Sequence, residues 1–326
     1  MIEAFITYIE AEKRYSALTV RNYRHDLESF AEWWCRAEGC DEFDPRKVSE
    51  NDIRKWIMHR IEKPRGKRGS AADSEAKGVK ASTMNRELSS LRSFFRYLRK
   101  QRIVERDLFK RITSLKTPRH LPTFIPETRM ETILDNLREQ GNGEQLREQR
   151  NALIVAIFYS CGIRLAELCN IRLRDFGDNY TTLRVTGKGD KQRLIPLLPE
   201  LSRRVVLYLQ SLCEAGIATT EDTPLTITER GRALSRSSIQ RIVENELHKG
   251  NVPGKRSPHI LRHTFATHLL NRDADMRDIQ ELMGHSSLKT TQHYTHNSIA
   301  QLQRIYDKAH PHGRHVEEKN IKTERS

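Results

Sequence analysis

Apolar residues recur at every third or fourth position along most of this chain, the period that predicts amphipathic helices. Four such stripes occupy residues 1–112, and the later three begin near Thr19, Ser49 and Ser82. Thr19 is the expected N-cap of the second helix, while Ser49 and Asp52 have the spacing of a capping box before the third. The stripes predict a helical domain in which tryptophans and phenylalanines fill the core.

Two segments interrupt the helical pattern. Residues 62–80 are polar, contain glycine and are rich in lysine and arginine, which predicts a loop. Residues 113–126 contain three prolines and few periodic apolar positions, so no continuous helix is expected there. We interpret this second segment as a linker between two domains.

Helical periodicity resumes at residue 127 and continues to residue 309, with a strongly apolar helix expected over 146–160. Alternating residues on both sides of a Gly-Lys-Gly-Asp sequence predict a β-hairpin, with strands over 181–186 and 191–197. The predicted fold class is therefore mainly α with a small β-hairpin: a helical first domain, then a mixed, mostly α second domain over 127–309. Residues 310–326 are polar and are expected to form a disordered tail.

The charge of the chain indicates the class of its partner. The chain has 326 residues and a formal net charge of +14, and its lysines and arginines are spread along the sequence. Such a distribution favours a polyanion partner, with nucleic acid first, although a generally basic soluble protein is the alternative. The five cysteines form no CxxC pair, which indicates reduced thiols. No apolar run reaches membrane-spanning length and the N-terminus does not resemble a signal peptide, so a cytoplasmic location is expected.

The candidate chemistry is concentrated towards the C-terminal end. His259, Arg262 and His263 are three and four positions apart on one predicted helix, and His285 and Tyr294 follow. A guanidinium can grip two phosphate oxygens, imidazoles can move protons, and a tyrosine hydroxyl beside a clamped phosphate can attack phosphorus. The product would be a phosphotyrosine ester that keeps the energy of the broken bond. This set of residues therefore indicates cutting and resealing of a nucleic-acid strand without ATP.

Two further candidates precede this stretch. Arg164 follows the glycine break after the apolar helix and either forms a structural ion pair with Glu167 or binds a ligand. Lys188 lies at the tip of the predicted hairpin, where Lys191 is its rival as a chemically active lysine and ordinary surface solubility is the alternative.

The motifs HILRHTFATHLL, LMGHSS and TTQHYTH, with GIRLAEL and GKG upstream, resemble the tyrosine recombinases, also called the phage integrase family. The whole arrangement is most similar to the Xer-type site-specific recombinases of bacteria. The resemblance implies that Arg164 and Arg262 clamp one scissile DNA phosphate and that Glu167 supports them. It also favours Lys188 over Lys191.

The resemblance assigns roles to the remaining candidates. Tyr294 would be the nucleophile, giving a 3′-phosphotyrosyl link and a free 5′ hydroxyl. Lys188 would protonate the leaving 5′ oxygen, and His285 would donate a hydrogen bond to the phosphate. His259 is the candidate base for the tyrosine proton, and His263 is expected to support the site.

The resemblance also implies the partners. The first is double-stranded DNA that carries a specific recombination site. The second is a tetrameric synapse, in which the protein assembles with itself or with a paralogous recombinase and strands are exchanged through a Holliday junction. Residues 1–112 would clamp one face of the DNA, and the loop 62–80 either touches DNA or is a solvated insertion. A helix over 298–309 would dock on a neighbouring subunit. No metal or nucleotide cofactor is expected.

Three other functions would explain parts of this pattern. His259 and His263 have a spacing found in metal sites, but the intervening residues lack the glutamate of HExxH and include Arg262, which would repel a cation. A non-catalytic DNA-binding protein explains the charge but not the whole set of motifs, and a type IB topoisomerase has a different sequence pattern. Within the family, an Xer-like role in resolving chromosome dimers and a mobile-element integrase or transposase remain open.

Overall fold

A computed structural model describes residues 1–62, 79–117, 124–141, 145–187 and 189–284 of the protein. The chain forms two compact units, Met1–His120 and Leu121–Ser326, called unit 1 and unit 2 below. The predicted loop 62–80, the helix over 298–309 and the tail 310–326 lie largely or wholly outside the described residues, as does the middle of the predicted linker 113–126.

The described part of unit 1 contains four helices: α1 (Ile2–Ala11), α2 (Ala17–Glu38), α3 (Glu50–Glu62) and α4 (Ala81–Lys100). The capping box is present, since the Ser49 backbone N–H donates to Asp52 at 2.9 Å and the Asp52 N–H donates to the Ser49 hydroxyl at 3.3 Å. The predicted N-cap Thr19 is wrong by one turn. Ser16 caps α2, and its hydroxyl accepts from the Thr19 N–H at 3.3 Å.

The core of unit 1 is aromatic, as the helical stripes predict. Phe5, Phe30 and Phe94 are fully buried, and Trp34 and Trp56 are nearly so. Trp33 is half-buried and packs against Trp56 with ring centroids 5.3 Å apart. These rings hold the helices together.

The described part of unit 2 contains seven α-helices and one hairpin: α5 (Glu127–Gly141), α6 (Leu146–Cys161), α7 (Leu165–Asn170), β1 (Thr182–Thr186), β2 (Gln192–Pro196), α8 (Pro199–Glu214), α9 (Arg236–Lys249), α10 (Pro258–Asn271) and α11 (Met276–Met283). Two short 3-10 helices, Leu173–Asp175 and Asp178–Tyr180, lie between α7 and β1. Helix α6 is buried on nearly all sides because α5, α8, α9 and α10 pack around it. The mainly α fold with a small hairpin is confirmed.

The hairpin is antiparallel, and its register pairs Leu183 with Ile195 and Val185 with Arg193. These four residues are buried and face the core of unit 2, whereas Arg184 between them is exposed. A charged residue therefore occupies an inward position of β2. Among the described residues, no helix is long and apolar enough to cross a bilayer.

Candidate functional site

The site is built around the turn that joins α6 to α7. Gly162 ends α6 in the left-handed conformation, with φ of +56°. A β carbon at Gly162 would come within 2.4 Å of the Phe265 ring, so close packing also requires glycine here. Two residues later Arg164 is the N-cap of α7, and its side chain is 39% exposed. The turn thus brings a partly exposed guanidinium to the end of a buried helix.

Glu167 anchors this arginine. Its carboxylate, only 4% exposed, accepts from the backbone N–H and from Nη1 of Arg164, both at 2.8 Å. It also accepts two hydrogen bonds from Arg193, at 3.2 and 2.9 Å. Burial raises the pKa of Glu167, but the hydrogen bonds and charges of Arg193 and Arg164 outweigh it, so that the pKa lies below its ordinary value. Glu167 is therefore ionised and doubly paired.

Arg262 reaches the same region from α10. It is 7% exposed, and its guanidinium donates to the carbonyl oxygen of Gly162 and, at 2.7 Å, to that of Met283. Burial, followed by the positive charge of Arg164, lowers the pKa of Arg262 to about 10. The Gly162 contact lies two residues before Arg164, so both predicted phosphate-binding arginines are brought to one turn.

The end of α11 is held from two directions. Arg193 Nε donates to the Leu282 carbonyl oxygen at 2.8 Å, while Arg262 binds that of Met283. Gly284 then ends the helix with φ of +64°, and a β carbon there would lie 3.0 Å from Arg193 Nη1. The two C-terminal carbonyl oxygens of this helix are thereby satisfied by guanidinium groups.

The histidines of α10 occupy different environments. His259 is exposed and His263 is half-buried on the same helix as Arg262. His268, which the motif analysis did not single out, is fully buried. Its Nδ1 lies 2.9 Å from the Tyr159 hydroxyl, and its Nε2 lies 2.8 Å from the Ile125 carbonyl oxygen. His268 therefore joins α10 to α6 and to the residues that precede α5.

Of the residues predicted for the site, Arg164, Glu167 and Arg262 are brought together, and His259 and His263 lie on the helix of Arg262. The predicted residues Lys188, His285 and Tyr294 lie outside the described part of the chain. Among the described residues, no group of three or more histidine, cysteine, aspartate or glutamate side chains could hold a metal ion.

Sequence reasoning missed Arg193. The hairpin motif indicated the lysines at its tip, but the alternation of inward and outward positions along β2 also indicates Arg193. Arg193 shares its face with Ile195, an inward position that an arginine occupies only when it is paired.

Two family models and several curated proteins match this chain. The model of the phage integrase family matches residues 123–301, and that of the phage integrase N-terminal SAM-like domain matches residues 2–102. Tyrosine recombinase XerC of Thermodesulfovibrio yellowstonii is 36% identical over 315 residues, which cover 95% of this chain and 96% of the relative. Tyrosine recombinase XerC of Chlorobaculum parvum is 31% identical over 329 residues, covering 95% and 94%.

A solved structure shares the fold. The XerH site-specific recombinase bound to a palindromic difH substrate, in a post-cleavage complex, has a TM-score of 0.67 at 21% identity, covering 93% of this chain and 82% of that one. The chain therefore belongs to the phage integrase family, the tyrosine recombinases. This confirms the resemblance found in the motifs and the predicted enzyme class, a tyrosine site-specific recombinase of Xer type.

Proposed function

We propose that this protein cuts and rejoins double-stranded DNA at a specific site through a 3′-phosphotyrosyl intermediate. The observation that carries the proposal is the convergence of Arg164 and Arg262 on one turn, beside a single buried carboxylate. Two guanidinium groups in a partly water-excluded site stabilise the charge that builds up on phosphate oxygens when phosphorus is attacked.

The proposed chemistry divides into bond formation and proton transfer. The Tyr294 hydroxyl oxygen forms a bond to phosphorus while the bond from phosphorus to the 5′ oxygen breaks. Lys188 gives a proton to that leaving oxygen, and His259 takes the proton of the tyrosine. His285 donates a hydrogen bond to the phosphate. The reverse reaction, in which a 5′ hydroxyl attacks the phosphotyrosine, reseals the strand.

Two residues have supporting roles in this proposal. Glu167 holds Arg164 by two hydrogen bonds of 2.8 Å and so fixes its guanidinium before DNA binds. His263 lies one turn from His259 on α10 and supports the site rather than reacting. In this proposal residues 1–112 clamp the DNA, residues 113–126 link the domains, and residues 127–309 carry out catalysis.

The partners and role are part of the same proposal. The enzyme works in the cytoplasm as a tetrameric synapse, formed with itself or with a paralogous recombinase, and needs no nucleotide. The XerC names of the curated relatives support an Xer-like role in resolving chromosome dimers over a mobile-element role.

A suicide-substrate assay tests the proposal. Nicked duplexes carrying candidate sites from the protein's own genome are incubated with it in EDTA, and covalent complexes are resolved on a denaturing gel. We expect a covalent band that disappears in Tyr294→Phe while DNA binding is retained. Tyr15→Phe, at an exposed tyrosine of unit 1, is the matched control and should keep the band. A band that persists in Tyr294→Phe would overturn the assignment.

A further inference from the structure

Arg193 makes more side-chain hydrogen bonds than Arg164 or Arg262, yet no role above is assigned to it. Its side chain is 6% exposed, and three of its guanidinium nitrogens donate hydrogen bonds. Two of these bonds go to the two oxygens of Glu167, and the third goes to the Leu282 carbonyl oxygen on α11. A buried arginine with this geometry joins three separate elements: β2, α7 and α11.

The contacts with Glu167 bear on Arg164. The two arginines share Glu167 Oε1, at 2.8 Å from Arg164 Nη1 and 3.2 Å from Arg193 Nη1. Arg193 therefore fixes the plane of the carboxylate to which Arg164 is hydrogen-bonded. Without Arg193, a buried carboxylate would keep only the partly exposed Arg164 as its cationic partner, and its orientation would no longer be set from the hairpin side.

The guanidinium also lies beside two glycines. A β carbon built on Gly284 would lie 3.0 Å from Arg193 Nη1, and one built on Gly187 would lie 3.8 Å from the same atom. Gly187 and Gly284 are the residues that immediately precede Lys188 and His285 in the sequence. Arg193 thus lies beside the last described residue before each of these two candidates.

We propose that Arg193 is a positioning residue for strand cleavage. Through Glu167 it orients the Arg164 guanidinium, and through the Leu282 carbonyl oxygen and Gly284 it fixes the end of α11 from which the chain continues to His285. It touches no substrate itself. This inference rests on the proposed function, because Arg164 is taken to bind the scissile phosphate.

The first test is the single-turnover cleavage rate at saturating DNA. Arg193→Met removes the fork of donors but keeps an unbranched side chain in the buried site. We expect the rate constant to fall about 100-fold, since displacement of a catalytic group by about 1 Å costs that much, with the DNA dissociation constant within twofold of the wild type. Arg193→Lys, which can donate to Glu167 but lacks the planar fork, should recover part of the rate.

The matched control is Arg184→Met. Arg184 lies on β1 of the same hairpin, but its side chain is 44% exposed and bonds the Arg174 carbonyl oxygen and Asp175 outside the site. We expect this variant to cleave at the wild-type rate. A rate within threefold of the wild type in Arg193→Met would overturn the proposal.

A double variant separates positioning from simple stabilisation. Arg193→Met leaves a buried carboxylate poorly paired, so the melting temperature should fall, and adding Glu167→Gln should restore much of it by removing that charge. The cleavage rate should not recover, because Arg164 is still without its fixed anchor. If the rate recovers together with the melting temperature, Arg193 has only a structural role and the proposal is wrong.

A further readout does not depend on cleavage. In the ¹⁵N spectrum of the arginine side chains, the Arg164 Nε–Hε signal of the free protein, assigned with Arg164→Lys, should broaden or vanish in Arg193→Met. An unchanged Arg164 signal would contradict the positioning role even if the wild type formed no covalent complex. Absence of a covalent complex in the wild type would instead count against the proposed function alone.

Discussion

Two buried carboxylates of unit 1, Asp26 and Glu87, are each paired with one arginine. Asp26 is bound by Arg86 at 2.6 Å and by the Ser90 hydroxyl at 2.8 Å, and Glu87 is bound by Arg60. Burial raises the pKa of Asp26, and this effect exceeds the opposing hydrogen bond of Ser90 and charge of Arg86. These pairs are balanced in charge and leave no surplus for a ligand.

The carboxylate of Glu167 in unit 2 has the opposite balance of charges. Glu167 is bound by two arginines, Arg164 and Arg193, and a third, Arg262, binds the carbonyl oxygen of Gly162, two residues before Arg164. Here the cations outweigh burial, and the pKa of the carboxyl falls. Three guanidinium groups with one carboxylate leave a net positive charge in a partly buried place.

The difference separates two uses of the same residue types. A balanced buried pair joins helices, and its removal costs stability. An unbalanced cluster is itself costly, because like charges repel in a medium of low dielectric constant, and a phosphate would relieve that cost. Strain of this kind is expected where a ligand binds, so the charge surplus supports the proposal that the cluster in unit 2 binds a phosphate.

The largest expected effect comes from comparing one arginine in each unit. Arg262→Gln should lower the single-turnover cleavage rate about 1,000-fold, because it removes a charged donor from the phosphate site. Arg86→Gln in unit 1 should leave the rate at saturating DNA within about twofold but destabilise the protein by about 1 kcal/mol. The suicide-substrate assay and chemical denaturation measure the two. A similar rate loss in both variants would remove the distinction between the clusters.

Two glycines, one in each unit, allow the units to be compared through the cost of adding a β carbon to the backbone. Gly39 and Gly162 both end a helix in the left-handed conformation, with φ of +65° and +56°. Gly39→Ala should cost about 1–2 kcal/mol of unfolding free energy for the conformation alone, since a β carbon there meets nothing within 4 Å. Gly162→Ala should cost about 1–3 kcal/mol more, because it overlaps the Phe265 ring.

Denaturation can assign these losses to the right unit. All three tryptophans lie in unit 1, so tryptophan fluorescence follows that unit, while circular dichroism follows the helices of both. Gly162→Ala should also slow cleavage, because its carbonyl oxygen accepts from Arg262. If the two alanine variants lose the same free energy of unfolding, the Phe265 ring moves away from the added β carbon at no cost.

The smallest expected effect is an acid sensitivity of unit 2. Burial lowers the pKa of His268, so the folded state keeps it neutral while the unfolded chain takes up a proton below about pH 6.5. Stability is therefore complete above pH 6.5 and falls as the pH decreases below it, by at most about 1.4 kcal/mol per pH unit. His268→Gln, which can replace both hydrogen bonds without titrating, should flatten this dependence in thermal melts between pH 7.5 and 5.5. If the stability of the variant depends on pH as steeply as that of the wild type, a group other than His268 causes the dependence.

The sequence predicts most of the helices and part of the site. Ser49 and Asp52 gave the start of α3, Pro258 gave that of α10, and Gly284 gave the end of α11, since caps act within one turn. The start of α2 was misplaced because Ser16 and Thr19 both have hydroxyls suited to capping, and only the path of the chain selects Ser16.

Motif spacing identified Arg164, Glu167 and Arg262 because each lies beside a local signal: a glycine break, a first-turn acid or a helical repeat. The pairing of Arg164 with Glu167 was among the alternatives, and it is present. The second partner of that carboxylate was not foreseen. Arg193 is 26 residues away along the chain from Glu167, and the hairpin must fold back against α7 before the two can meet.

The amino-acid sequence by itself determined the family, the helical periodicity, the inward and outward alternation of the hairpin and the identity of the candidate reactive groups. These depend on residues close together in the chain or on motifs of fixed spacing. Only the tertiary structure decided how many cations share Glu167, which carbonyl oxygens Arg262 binds, and that His268 is a buried connector. Burial and ion pairing depend on distances between segments far apart in sequence, which local propensity does not encode.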